Sequence, residues 1–173
     1  MFIAIVQHTP LWVWGLLAAL IALGLSQARD REMSLVRVTI LPLAMIVLSM
    51  SGVLSAFGHF PVALGGWAAG VGAALTLARR FGRAFITVRG AAWSAQTATL
   101  HVPGSWLPLV LIVALFALKY VVGVSLALHP ELAVDTRFAG LISLAYGMFS
   151  GLFLARGWSL RHLAKRPAGL LAA

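Results

Sequence analysis

Five stretches of the chain are almost wholly apolar, and polar residues gather between them. The stretches cover residues 10–27, 36–57, 61–78, 106–128 and 137–155. A spanning helix needs about 20 apolar residues at about 1.5 Å each, and every stretch reaches or approaches that length. Pro10 and Pro61 suit first helical positions, where a missing N–H costs nothing. Thr9 and Ser105 are the N-cap candidates of the first and fourth stretches. The pattern predicts an all-α membrane protein of five transmembrane helices, forming a single polytopic domain over residues 1–173.

The connection over residues 79–105 has a pattern of its own. "FITVRG" and "TATLHV" alternate with β-branched residues on either side of "GAAWSAQ", as half-buried strands do. They predict a small β-hairpin between the third and fourth helices. An isolated hairpin is marginal in water, so this one should lean on the bilayer, the helix ends or a partner chain. The competing reading is an irregular loop on the headgroups with Trp93 as its anchor. Trp12, Trp14, Trp67, Trp106 and Trp158 fall near predicted helix ends, the positions of an aromatic belt.

Composition supports lipid as the solvent. Hydrophobic residues make up 61% and charged residues 10%, against about 25% charged in a soluble domain. The chain has no cysteine, which excludes disulfides and thiolate chemistry. "MFIAIVQHTPLWVWG" has no basic n-region and no small-residue cleavage site after it, so a cleaved signal peptide is not expected.

The net charge of +9 is distributed unevenly. Arg29, Arg31, Arg37, Arg79, Arg80, Arg83, Arg89, Arg156, Arg161, Lys165 and Arg166 fall on one side of the predicted membrane, and only Arg137 on the other. The positive-inside rule then predicts an N-out/C-in orientation with a cytoplasmic hairpin. A C-terminal reporter active only on the outer side would contradict it. Anionic headgroups are the expected partner of this basic face, and nucleic acid is not expected.

Small residues recur at helical spacing. Gly66 and Gly70, with Gly72 close by, mark the third helix; Gly147 and Gly151 mark the fifth; Ser51 and Ser55 lie four apart in the second. Such faces let backbones approach closely in lipid. They could pack within one chain or between two copies, and a homodimer is one expected outcome.

Candidate chemistry is sparse. The predicted helix interiors hold no Asp or Glu, whereas proton-coupled transporters place a carboxylate there. No metalloprotease, serine-hydrolase, phosphate-loop or dinucleotide motif appears. His8, His59, His101, His129 and His162 are scattered. His8, His59 and His129 fall on the predicted outer side, where a metal site is conceivable, but without i,i+4 spacing or a cysteine they read as solvated loop histidines. No metal, cofactor or catalytic residue is expected, and the chain does not read as an enzyme.

Lys119 stands apart as the lone charge inside "ALFALKYVVGVSL". A lysine at that depth costs roughly 2.5–3.5 kcal/mol on insertion scales. Three readings stay open. Its stem could snorkel to the outer interface, although helical side chains lean toward the N-terminus and here that is the cytoplasmic side. It could pair with Glu131 or Asp135 of the outer loop. Or it could face a cavity holding a small anionic solute, with Tyr120, Ser125, Ser143, Tyr146 and Ser150 sharing the interior. Lys119→Met should leave the fold intact in all three readings.

"HTPLWVWGLL", "VRVTILPLAM", "VPGSWLPL", "LKYVVGV" and "YGMFSGLFLARG" together resemble a family of small bacterial inner-membrane proteins known only as a domain of unknown function. The resemblance covers nearly the whole chain. It implies a bacterial inner (cytoplasmic) membrane and a compact helical fold, and it points to no particular activity. It places Gly104, Ser105, Trp106, Lys119 and Tyr120 among the recurring features. More remotely, Arg37 followed by Pro42, with a hairpin-like loop before the fourth helix, looks like the CcdC-like membrane proteins. That name hints at cytochrome c maturation, although the chain has neither cysteine nor a haem-attachment motif. Two function classes follow: a transporter-like protein that binds a small solute or anion, or a non-catalytic membrane scaffold acting through helix packing and its basic cytoplasmic face.

Overall fold

A computed structural model describes residues 10–58, 61–85, 90–94 and 97–164. In chain order the elements are α1 (Leu11–Ser26), β1 (Arg31–Met33), α2 (Leu35–Phe57), α3 (Pro61–Phe85), β2 (Ala92–Ser94), β3 (Thr99–Val102), α4 (Leu107–Leu128), a 3-10 turn (Pro130–Ala133) and α5 (Thr136–Ala164). Four helices, α2 to α5, are long and apolar enough to cross a membrane. Helix α1 has 16 residues, about 24 Å at 1.5 Å per residue, and falls short of a hydrocarbon core about 30 Å thick. Among the described residues there are thus five α-helices, four of them long and apolar enough to span. The Thr9 cap lies outside the described residues.

Two helices run well past their predicted ends. Helix α3 continues through Arg79 and Arg80 to Phe85, and α5 continues through Arg156 to Ala164. Arginine and alanine are good helix formers, so charge ends an apolar span without ending the helix. Ser105 lies one residue outside the expected N-cap position, which Trp106 takes without a side-chain bond. The Ser105 Oγ accepts a long bond, 3.4 Å, from the Leu107 N–H.

Helix α5 is the axis of the bundle, with α3 and α2 packed along it. The glycine faces of α3 and α5 meet each other within the chain. A Cβ at Gly70 would strike the Leu144 carbonyl oxygen, one at Gly147 the Trp67 carbonyl oxygen, and one at Gly151 would crowd Val71 and Ala74. Gly66 approaches Gly140 in the same row. Gly72 meets nothing within 4 Å and is no part of this seam. These surfaces are consumed by intramolecular packing, so they are not left over for a second copy.

On α2 the buried stripe is Val38, Pro42, Met45, Ser49, Gly52, Val53 and Phe57. Ser51 and Ser55 face outward, their hydroxyls bonded back to Leu48 and Gly52 carbonyls. The internal small residues are instead Ser49 and Gly52. Ser49 Oγ donates to the Tyr146 carbonyl at 3.0 Å and accepts from the Trp67 indole N–H at 2.9 Å. One hydroxyl thus ties three helices. Trp67, expected in an aromatic belt, is a partly buried packing residue. Trp12, Trp14, Trp106 and Trp158 are exposed, as a belt requires.

The sheet has three antiparallel strands in the order β1-β3-β2. The expected hairpin is present, displaced along the sequence. Its first arm is Ala92–Ser94, inside the segment expected to be the turn. Phe85 belongs to α3, and residues 86–89 lie outside the described residues. The connection between α1 and α2 supplies the third strand, β1. Trp93 and Met33 both pair with Leu100, and Leu100 and Val102 pack against Val38 of α2 and Leu160 of α5. The sheet leans on helix ends, one of the supports expected for it.

Gly104 and Ser105 bind this layer to the end of α1. The Gly104 N–H donates to Asp30 Oδ1 at 2.7 Å, and the Ser105 N–H to the Gln27 carbonyl at 3.0 Å. A Cβ at Gly104 would strike the Ala28 carbonyl oxygen, so this close approach requires glycine.

Candidate functional site

Helices α1 and α4 pack against each other and diverge away from the sheet. They touch at Gly24, where a Cβ would meet the Leu109 backbone. From Leu20 back to Pro10 on α1, and from Leu115 on to Leu128 on α4, they part to leave a groove of about 510 Å³ with Leu48 of α2 in its lining. Ligand pockets commonly fall between about 300 and about 1,000 Å³.

Lys119 and Tyr120 both line this groove. Phe116 stacks on Tyr120 with ring centroids 6.5 Å apart, as an i, i+4 pair on one helical face does. The remaining lining is aliphatic or aromatic, with Trp12, Val13, Leu16 and Val124 among it. Lys119 is half-buried. Among the described residues no hydrogen bond or ion pair reaches its ammonium group, the single ion pair being His129 with Glu131. The geometry joins a cation to a hydrophobic slot of ligand size.

The other candidates lie elsewhere. Ser143, Tyr146 and Ser150 are fully buried on α5, away from the groove lining. The Tyr146 ring fills the space beside Gly52 of α2. The Ser143 and Ser150 hydroxyls have no hydrogen-bond partner among the described residues. Glu131 is exposed and pairs with His129 at 3.1 Å. Asp135 accepts from the Phe138 N–H at 3.0 Å and the Arg137 N–H at 2.7 Å, capping α5 in the manner of helix-starting aspartates. Both carboxylates are engaged locally, and neither is bonded to Lys119. Among the described residues no group of three or more histidines and carboxylates is placed to hold a metal. His8 and His59 lie outside the described residues.

The Phe138 and Arg137 backbone donors hold the Asp135 carboxyl below its ordinary value of 3.8. A depressed folded-state pKa contributes stability that is complete above the unfolded value and lost as pH falls through the folded one. Acidification from about pH 5 to about pH 2 should therefore lower the melting temperature of the wild type more than that of Asp135→Asn. Parallel thermal melts across that range check the expectation, and equal slopes would contradict it.

Residue placement alone identifies the groove, and sequence reasoning named Lys119 and Tyr120 in it. It missed the α1 wall, because Trp12, Val13, Leu16 and Leu20 look like any lipid-facing residues of an apolar helix. It also missed Ser49, a single hydroxyl whose role appears only when three helices converge.

A family model, described as a family of unknown function (DUF6622), matches residues 1–170. An uncharacterized protein of Pasteurella multocida (strain Pm70) is 33% identical over 62 residues, which cover 36% of this chain and 47% of that protein. The match thus spans about half of that relative's length. No solved structure matches. The remoter CcdC-like resemblance gains no support from these matches.

Proposed function

The chain belongs to the DUF6622 family of unknown function, and we propose that this member binds a hydrophobic anion in the groove between α1 and α4. The observation that carries the proposal is a Lys119 ammonium with no hydrogen bond or ion pair among the described residues, in a largely apolar groove of about 510 Å³. A lone ammonium at mid-membrane depth is costly. A carboxylate or phosphate supplies the opposite charge, and a hydrocarbon chain matches the walls. The occupant is therefore an amphiphile with one acidic head rather than a small hydrated ion.

In this reading the protein sits in the bacterial inner membrane, N-out and C-in, as its basic loops favour. Pro10 and Leu128 then lie at the outer end of the groove, with Trp12 near its mouth. Tyr120 and Phe116 flank the head, and Ser143, Tyr146 and Ser150 serve helix packing. Holding an amphiphile in a laterally placed groove suits a carrier or a lipid-binding membrane protein.

Gly123 offers a direct test. It lies one turn from Lys119, lines the groove, and a Cβ there meets nothing within 4 Å. Gly123→Leu should fill the groove without disturbing a packed neighbour. Binding of a fluorescent long-chain fatty acid to the purified protein in detergent should weaken several-fold while the melting temperature holds. Unchanged binding would show that the fatty acid does not occupy this groove.

A further inference from the structure

A second cationic site lies at the sheet end of the bundle, independent of the Lys119 groove. Strand alternation creates it. Arg31 pairs with Val102 and Met33 with Leu100, so Arg31 shares the face of the sheet whose residues pack on α2 and α5. Glu32 and its partner His101 take the other, exposed face. The result is an arginine turned toward helix ends from a strand of 3 residues.

That arginine is held firmly. Its Nη1 donates to the Ser26 carbonyl at 3.1 Å, its Nη2 to Gln27 Oε1 at 3.0 Å, and its Nε contacts Met33 Sδ at 3.0 Å. Three of roughly five guanidinium N–H groups are thereby engaged and the rest remain for a ligand. Arg156 of α5 lines the same small cleft of about 30 Å³, as do Gln27 and Arg37. Arg156 is half-buried, Arg37 is exposed, and neither has a hydrogen bond or ion pair among the described residues.

Among the described residues no carboxylate forms an ion pair with these arginines. Arg31 and Arg156 line one cleft as like charges, and burial disfavours the charged form of Arg31. The two acids of the adjoining loop are otherwise occupied. Asp30 accepts the Gly104 N–H, and Glu32 accepts the Thr99 hydroxyl at 3.2 Å. Two arginines lining one cleft with no ion-paired carboxylate among the described residues form an arrangement that an anion stabilises. Guanidinium groups bind phosphate oxygens through paired, charge-assisted hydrogen bonds. A cavity needs about 10–15 Å³ to admit one water, so about 30 Å³ admits roughly two or three oxygens of a phosphate group and no larger organic body.

We propose that Arg31, Arg37, Arg156 and Gln27 form a phosphate-binding site at the cytoplasmic end of the bundle. Its ligand is either the headgroup phosphate of an anionic phospholipid or free inorganic phosphate.

Calorimetric titration of the full-length protein in uncharged detergent separates the two sources. The probes are inorganic phosphate, short-chain phosphatidylglycerol, and the matching diacylglycerol, which lacks the phosphate. Saturable binding of inorganic phosphate would assign the site to the free ion. Binding of phosphatidylglycerol alone would assign it to a headgroup. In either case Arg156→Gln and Arg31→Gln should weaken binding about tenfold or more, from loss of a charge-assisted bond. Arg161→Gln, an exposed arginine on the same helix, should not.

Thermal melts without any probe distinguish this site from a structural one. The like charges repel, so Arg156→Gln should melt no lower than the wild type when no phosphate is present. Adding the bound probe should raise the melting temperature of the wild type and not that of the variant. The proposal is overturned if neither phosphate-bearing probe binds, if diacylglycerol binds as well, if Arg156→Gln binds unchanged, or if it melts lower without ligand.

Discussion

Gly147→Leu is expected to break the bundle. The Cβ alone would land on the Trp67 carbonyl oxygen and crowd the Val71 amide. Both belong to the α3 backbone, which cannot rotate aside as a flexible side chain can. Overpacking a core commonly costs about 1–3 kcal/mol, and a clash with backbone along the main interhelical seam belongs at or beyond the upper end. Gly70→Leu should behave alike, because a Cβ there strikes the Leu144 carbonyl oxygen from the other side of the seam. Gly72→Ala is the matched control on α3. It faces open space, and replacing an exposed helical glycine gains up to about 1 kcal/mol. Thermal melts in detergent, followed by circular dichroism, should show Gly147→Leu far below the wild type and Gly72→Ala level with it or above. If Gly147→Leu melted with the wild type, the close packing of α3 on α5 would be wrong.

That seam was legible in part. Gly66, Gly70, Gly147 and Gly151 announce close approach by spacing, but spacing cannot say whether the facing helix belongs to the same chain. Gly72 shows the limit from the other side: a glycine two residues from a packed one turns away from the interface. The helices themselves were legible because lipid demands long apolar runs. Their ends were not, since an apolar count stops at Arg79 and Arg156 while the backbone hydrogen bonds continue. Strand β1 could not be read at all. Its three residues, Arg31, Glu32 and Met33, carry two charges and become a strand only because β3 offers its edge.

For the site, the sequence singled out Lys119 by the oddity of a charge among apolar neighbours. Its surroundings were hidden for the opposite reason. Groove walls and lipid-facing surfaces have the same composition, so the α1 side of the groove carries no mark in the sequence. The polar residues that did stand out, Ser143, Tyr146 and Ser150, were drawn into the packing of α5. The charge cluster of Arg31 and Arg156 was concealed among ordinary basic loop residues, because their meeting depends on a strand that the sequence does not announce.

The most direct test of the groove compares two ligands that share a hydrocarbon chain and differ in whether the head group is charged. Oleate and oleyl alcohol share an aliphatic chain, and only oleate carries an acidic head. Binding of each to the wild type and to Lys119→Met would be measured in uncharged detergent. Removing one partner of a charge-assisted contact is worth roughly 1.5–3 kcal/mol, or about ten- to a hundredfold in affinity. Lys119→Met should lose that much affinity for oleate, keep its affinity for oleyl alcohol and melt at the wild-type temperature. Equal binding of oleate by the two proteins would mean that Lys119 meets no anion in the groove, and the proposed function would fall with it.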